Sequence, residues 1–150
     1  MHFTVKVDVN LARDRVIELF DNPENMPKWM AGLQSFEALE GQPGQPGAKS
    51  KLVFQMGGRL IEMVETITLR NLPDEFSGSY QAPGVFNVVI NRFQELAPDQ
   101  TRWESQNEFK FTGAMRFMGG MMKGAFEKQS LQYMHDFKAF AENGLDVRSP

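Results

Sequence analysis

Three stretches place polar side chains inside apolar rows, at positions where they could bind a ligand or move a proton. In Arg59–Arg70, the alternate residues Ile61, Met63, Glu65, Ile67 and Leu69 form the more apolar set. A strand there points them one way and puts Glu65 among large apolar neighbours. A buried, unpaired carboxylate is costly and tends to become neutral. Glu65 therefore reads as a polar anchor or proton donor in a cavity, or as the partner of an arginine on a neighbouring strand. In Arg102–Phe111, Trp103, Ser105, Asn107, Phe109 and Phe111 share one face, while Arg102, Glu104, Gln106, Glu108 and Lys110 share the other. Ser105 and Asn107 are then small polar groups on an apolar wall. Such a wall suits a ligand that needs orienting, and it equally suits a pair of satisfied core groups. Towards the end of the chain, Gln129 and Tyr133 are the polar members of an apolar helical stripe. Each can donate a hydrogen bond into a cavity or simply finish a core.

Other chemistries lack their residues. The chain has no cysteine, which excludes disulfides, thiolate metal sites and cysteine nucleophiles. Of two histidines, His2 lies at the terminus and His135 falls on the charged side of the helix. No Ser-His-Asp set assembles, and no H-x-x-x-H spacing, phosphate loop or dinucleotide fingerprint occurs. No metal and no cofactor is expected. Any catalysis must rest on carboxylates, Tyr, Asn or Arg in a dry pocket, with Glu65 and Tyr133 the candidates to move a proton. A net charge of −3 argues against a nucleic-acid partner and weakly against an anionic membrane surface. No run of apolar residues is long enough for stable membrane insertion, and residues 1–6 lack the apolar core of a signal peptide. With the absent cysteines, this leads to an expected cytoplasmic location. Oligomeric state is not legible.

These side chains must be positioned by strands and one long helix. Residues 2–9 alternate, with Phe3, Val5, Val7 and Val9 on one face, and predict a half-buried strand. Asn10 is expected to cap a helix whose apolar side is Leu11, Val16, Leu19 and Phe20. Pro23 ends that helix, and a second short helix over Pro23–Met30 carries Trp29. Six strands follow: Leu33–Gly41, Lys49–Met56, Arg59–Arg70, Glu75–Gln81, Val85–Leu96 and Arg102–Phe111. Gly57-Gly58 signals a two-residue hairpin. Leu52, Phe54 and Met56 share one strand face, and Phe86, Val88 and Ile90 another. The second face is lost near Arg92-Phe93 unless a bulge restores Phe93. The final helix is expected from near Met115 to about Asn143-Gly144. Met115, Met118, Met122, Phe126, Gln129, Tyr133, Phe137 and Phe140 line one side; Glu127, Lys128, Leu131, His135, Lys138 and Glu142 line the other. Gly113, Gly119, Gly120 and Gly124 interrupt its start, which suggests a loose end able to act as a gate. Short turns favour antiparallel neighbours. The expected fold is α+β, with one antiparallel sheet of about seven strands curled around the long helix. Residues 1–145 form one domain, and 146–150 a frayed tail.

The order and lengths of these pieces resemble the START-like, or Bet v 1-like (SRPBCC), superfamily with its helix-grip fold. The resemblance is nearest to the bacterial polyketide cyclase/dehydrase and lipid-transport branch. It is carried by the opening strand with Asn10 and the helix Ala12–Phe20, by Asp21-Asn22-Pro23-Glu24-Asn25-Met26-Pro27-Lys28-Trp29, and by Glu40-Gly41-Gln42-Pro43-Gly44. Glu62-Met63-Val64-Glu65, Leu72-Pro73, Thr101-Arg102-Trp103-Glu104 and the terminal amphipathic helix complete it. The resemblance implies a cavity between curved sheet and helix that takes an apolar or amphipathic small molecule. The expected ligand-binding residues are Phe54, Met56, Met63, Glu65, Phe86, Val88, Trp103, Asn107, Phe109, Met118, Met122, Phe126, Gln129 and Tyr133. A carrier or binder of a lipid, polyketide-like or isoprenoid molecule ranks first. A cyclase or dehydratase using Glu65 or Tyr133 ranks second, and a protein-interaction module third.

Overall fold

The alternation at the start of the chain becomes an edge strand. β1 (His2–Val9) buries Phe3, Val5, Val7 and Val9 and exposes Thr4 and Lys6, with Asp8 half-buried. α1 (Arg13–Phe20), a single 3₁₀ turn (Pro23–Asn25) and α2 (Met26–Trp29) follow. Six further strands are β2 (Leu33–Glu40), β3 (Lys49–Met56), β4 (Arg59–Asn71), β5 (Glu75–Ala82), β6 (Val85–Ala97) and β7 (Gln100–Phe111). The chain closes with α3 (Gly119–Asn143) after a 3₁₀ segment over Gly113–Phe117. This computed structural model describes residues 1–117 and 119–149.

All seven strands lie in one antiparallel sheet, in the order β1-β7-β6-β5-β4-β3-β2. Only the β1–β7 pairing joins strands distant in sequence; the other neighbours are hairpins. Met56 pairs with Arg59 across Gly57-Gly58, where both glycines take positive φ (54° and 85°) as a tight hairpin requires. The sheet grips α3. Met134, Phe137 and Phe140 of the helix pack with β1, Phe93, Trp29 and Trp103 in the main core. Tyr133 reaches the other half of the sheet through Leu33, Leu52 and Phe54. The α+β helix-grip architecture expected from the sequence is the one observed.

Several local expectations are corrected. Asn10 does not cap α1, whose first turn starts at Ala12 without a side-chain cap. The Asn10 backbone N–H donates instead to Glu142 Oε2 at 2.9 Å, tying the end of β1 to the end of α3. Leu69 does not share the inner face with Glu65. A register shift between Ile67 and Leu69 turns Leu69 outward and brings Arg70 to Asp21, with both guanidinium Nη atoms on the carboxylate at 2.9 and 2.6 Å. In β6 no bulge lies near Arg92: pairing with β7 runs unbroken from Val85 to Glu95. Phe93 therefore shares the inner face with Asn87, Val89 and Asn91, and Val88 and Ile90 turn outward. Leu131, expected on the charged side of α3, is half-buried against the main core. The helix itself begins at Gly119 rather than near Met115, which lies in the 3₁₀ segment Gly113–Phe117. Past α3, the Val147 N–H donates to the Lys28 carbonyl.

Candidate functional site: a cavity between sheet and helix

The grip leaves an open cavity of about 1350 Å³. β3 supplies Phe54 and Met56, β4 Met63 and Glu65, β5 Tyr80, and β7 Trp103, Asn107 and Phe109. α3 supplies Met122, Phe126, Gln129 and Tyr133. Phe86 borders the cavity beside the β5–β6 turn, whereas Val88 does not, since the inner face of β6 carries Asn87, Val89 and Asn91. Met118, also a candidate from the sequence, lies outside the described residues.

The inner end is an aromatic cluster. Phe20 from α1 meets Trp29, Phe93, Trp103 and Phe137 at ring separations of 5.0–6.2 Å. Trp29 and Trp103 are in edge contact at 5.7 Å. At the outer end a stack runs from sheet to helix: Phe3 on Phe109 at 5.7 Å, and Phe109 on Phe126 at 4.8 Å. Offset or edge contacts of this kind add about 0.5–1.5 kcal/mol each beyond burial. Met115 packs on Gly84, where a Cβ would come within 2.7 Å of Met115 Cγ. The Met-rich segment thereby closes over the β5–β6 turn.

Between these ends lies a polar band. The Tyr80 hydroxyl donates to Glu65 Oε2 at 2.7 Å, and the two residues are direct cross-strand partners. Glu65 is 7% exposed. Burial pushes its carboxyl above the usual carboxylate range, and the Tyr80 hydrogen bond opposes that in part. Tyr80 is itself pushed far up, by burial first and then by the Glu65 charge. Burial also lifts the Tyr133 hydroxyl to about 12, with the Gln129 side chain acting the other way. Glu65 thus takes a tyrosine, not an arginine, as its partner. On the facing strands Trp103 Nε1 donates to Asn91 Oδ1 at 2.9 Å, and Asn107 Nδ2 donates to Ser105 Oγ at 3.1 Å. Among the described residues no group of three His, Cys, Asp or Glu could hold a metal ion.

As cavity residues, Tyr80, Asn87, Asn91 and Trp29 are not marked by the sequence. Counting outward from the Asn71–Glu75 pair would place Gln81 opposite Glu65; the bulge in β4 shifts the register by one and brings Tyr80 there. The amides escaped because an apolar-inside rule sends Asn outward, whereas here the inner face borders a cavity.

The profile described as "Polyketide cyclase / dehydrase and lipid transport" matches residues 1–142. Among curated proteins no sequence matches the chain. Among solved structures the chain is similar to the Zhui aromatase/cyclase from Streptomyces sp. R1128, with a TM-score of 0.81, 16% identity and coverage of 99% of this chain and 98% of that one. It is similar to a conserved protein from Geobacillus kaustophilus at TM-score 0.77 and 14% identity, with 97% of each chain covered. Ara h 8.0201 follows at TM-score 0.72 and 12% identity, over 94% of this chain and 97% of that one. At such identities these structures speak for the fold, a seven-stranded sheet gripping a C-terminal helix. The profile match over nearly the whole length adds the family: the chain belongs to the polyketide cyclase/dehydrase and lipid-transport family of the START-like, Bet v 1-like superfamily.

Proposed function

We propose that the protein binds or carries a hydrophobic or amphipathic small molecule between its sheet and α3. The observation that carries this reading is the cavity, about 1350 Å³ in volume, walled by Met and aromatic side chains around a narrow band of polar groups. Ligand sites commonly have this make-up, at about 300–1,000 Å³, and the larger volume here suits a lipid or a polycyclic skeleton. The family description and the cavity together support a ligand from the lipid, polyketide-like or isoprenoid classes. The absent cysteines fit a cytoplasmic setting, and no helix is long and apolar enough to cross a membrane among the described residues.

Trp29 and Trp103 both border the cavity, so occupancy can be followed by tryptophan emission. Titration with methyl decanoate should change that emission saturably, and native mass spectrometry of the purified protein should show an added mass of a small molecule. Unchanged emission together with a bare polypeptide mass would count against the reading.

The Glu65–Tyr80 pair favours a second reading, that of a cyclase or dehydratase. A carboxyl whose proton is held more tightly by burial can protonate a ligand oxygen, and its carboxylate form can take a proton from an adjacent carbon. On this reading Glu65→Gln abolishes turnover of a bound polyketide-like chain while its binding survives. Equal turnover by the variant would remove Glu65 from the chemistry.

A further inference from the structure

The polar groups around the cavity differ in what they leave uncommitted. Asn91 Oδ1 accepts from Trp103, so its amide nitrogen is the end left over, and that nitrogen is not among the buried orphan atoms. Ser105 Oγ accepts from Asn107 and keeps its own proton to give. The Gln129 amide and the Tyr133 hydroxyl border the same space. Tyr80 commits its proton to Glu65 Oε2, and the Glu65 carboxyl, when protonated, has a proton of its own. Donors thus face the cavity from β6, β7 and α3, alongside acceptor oxygens on Glu65, Asn87 and the Gln129 amide.

Among the described residues no cation forms an ion pair or hydrogen bond with this polar band. Lys51 Nζ lies 3.6 Å from Glu37 and 3.8 Å from Glu62. Arg70 is taken up by Asp21. Arg59 is exposed on the β3–β4 hairpin, at the rim. The titratable groups that face the polar band are Glu65 from β4, Tyr80 from β5 and Tyr133 from α3, with Lys51, Arg59 and Glu62 along the edge. A carboxylate carried in to Glu65 would lose its hydration without gaining a counter-charge, beside a second acid. A carbonyl oxygen would meet donors and bring no charge.

Resting on the ligand-binding reading above, we infer that the cavity selects a neutral amphiphile whose polar end is a hydrogen-bond acceptor, such as an ester, ketone or quinone oxygen. It rejects the same chain ending in an ionised carboxylate. Glu65 enforces the choice, as the acid nearest to where that headgroup would sit.

The test displaces N-phenylnaphthylamine, a neutral apolar fluorophore, from the full chain with methyl decanoate or decanoic acid, between about pH 5 and 8. Free carboxylic acids titrate near about 4.5. If only the uncharged acid enters, its apparent affinity falls roughly ten-fold per pH unit above that value. At about pH 7.5 the ester should compete at least ~100-fold better. The ester's own affinity should vary with pH only through Glu65 and be flat in Glu65→Gln. Equal affinities for ester and acid at that pH overturn the inference. So does tight acid binding that Arg59→Gln removes, because the carboxylate then sits at the rim. A fluorophore that binds, but that neither decanoyl compound displaces, overturns the headgroup selection alone. A fluorophore that does not bind overturns both the selection and the ligand-binding reading.

Discussion

At the scale of residues, the Glu65–Tyr80 pair decides how the cavity responds to pH. The folded state holds the Glu65 carboxyl above its ordinary value, so it binds a proton more tightly than the unfolded chain does. The linkage then has a definite sign. This contribution to stability is fully present below the unfolded value of about 4.3 and is lost as pH rises through the raised folded value. Urea unfolding of wild type and Glu65→Gln over a pH series should show the wild type losing stability relative to the variant across that window. A constant difference between them would mean that Glu65 ionises as freely folded as unfolded. Tyr80→Phe removes the one side-chain hydrogen bond that Glu65 makes among the described residues and leaves the buried acid without that partner. It should lower unfolding stability by about 1–3 kcal/mol, and the loss should grow with pH as the carboxylate forms.

Among the elements, α3 divides into two halves with different jobs. From Met134 to Phe140 its inner side is sealed in the core, with Phe137 fully buried. Phe137→Ala should cost about 3–5 kcal/mol in unfolding stability. The half from Gly119 to Phe126 borders the cavity and exposes Met121, which is 86% accessible, as Phe117 just before it is at 82%. Gly120 and Gly124 have open space where a Cβ would go. Replacing each with alanine should raise stability by about 0.5–1 kcal/mol, read as a higher thermal midpoint. Hydrogen exchange should be faster in residues 119–126 than in residues 134–143, and the alanine variants should narrow that difference. If both halves exchange alike in wild type, a gate at this end has no basis.

On the scale of the molecule, polar contacts clamp helix to sheet at one end, and aromatic contacts join them at the other. Glu142 accepts from Asn10 and pairs with Lys138 at 2.7 Å, and Lys138 donates to the Asp8 carbonyl. Those contacts fix the C-terminal end of α3 to β1, while the opposite end meets the sheet through the Phe109–Phe126 stack. A ligand that fills the space between binds the folded chain alone. Saturation at 100 times its dissociation constant should then add about 2.7 kcal/mol of stability, seen as a concentration-dependent rise in thermal midpoint. A midpoint that stays fixed under methyl decanoate would argue that the decanoyl chain does not occupy the cavity.

Strand alternation, turn residues and the helical stripe are local properties, and they were enough to read seven strands, the short helices and the long final helix from the sequence. The family followed from their order. Glu65, Asn107, Gln129 and Tyr133 could be picked out because each is a polar residue in an apolar row. What the sequence could not supply depends on register and on the cavity. A bulge in β4 slides Tyr80 opposite Glu65 and turns Leu69 outward in favour of Arg70. Pairing that runs unbroken from Val85 to Glu95 turns Asn87 and Asn91 inward in place of Val88 and Ile90. Each outcome reflects pairing with a neighbouring strand, and no periodicity within a single strand records it. The amides face inward because this wall encloses space rather than close-packed core, and only the tertiary structure shows where that space lies.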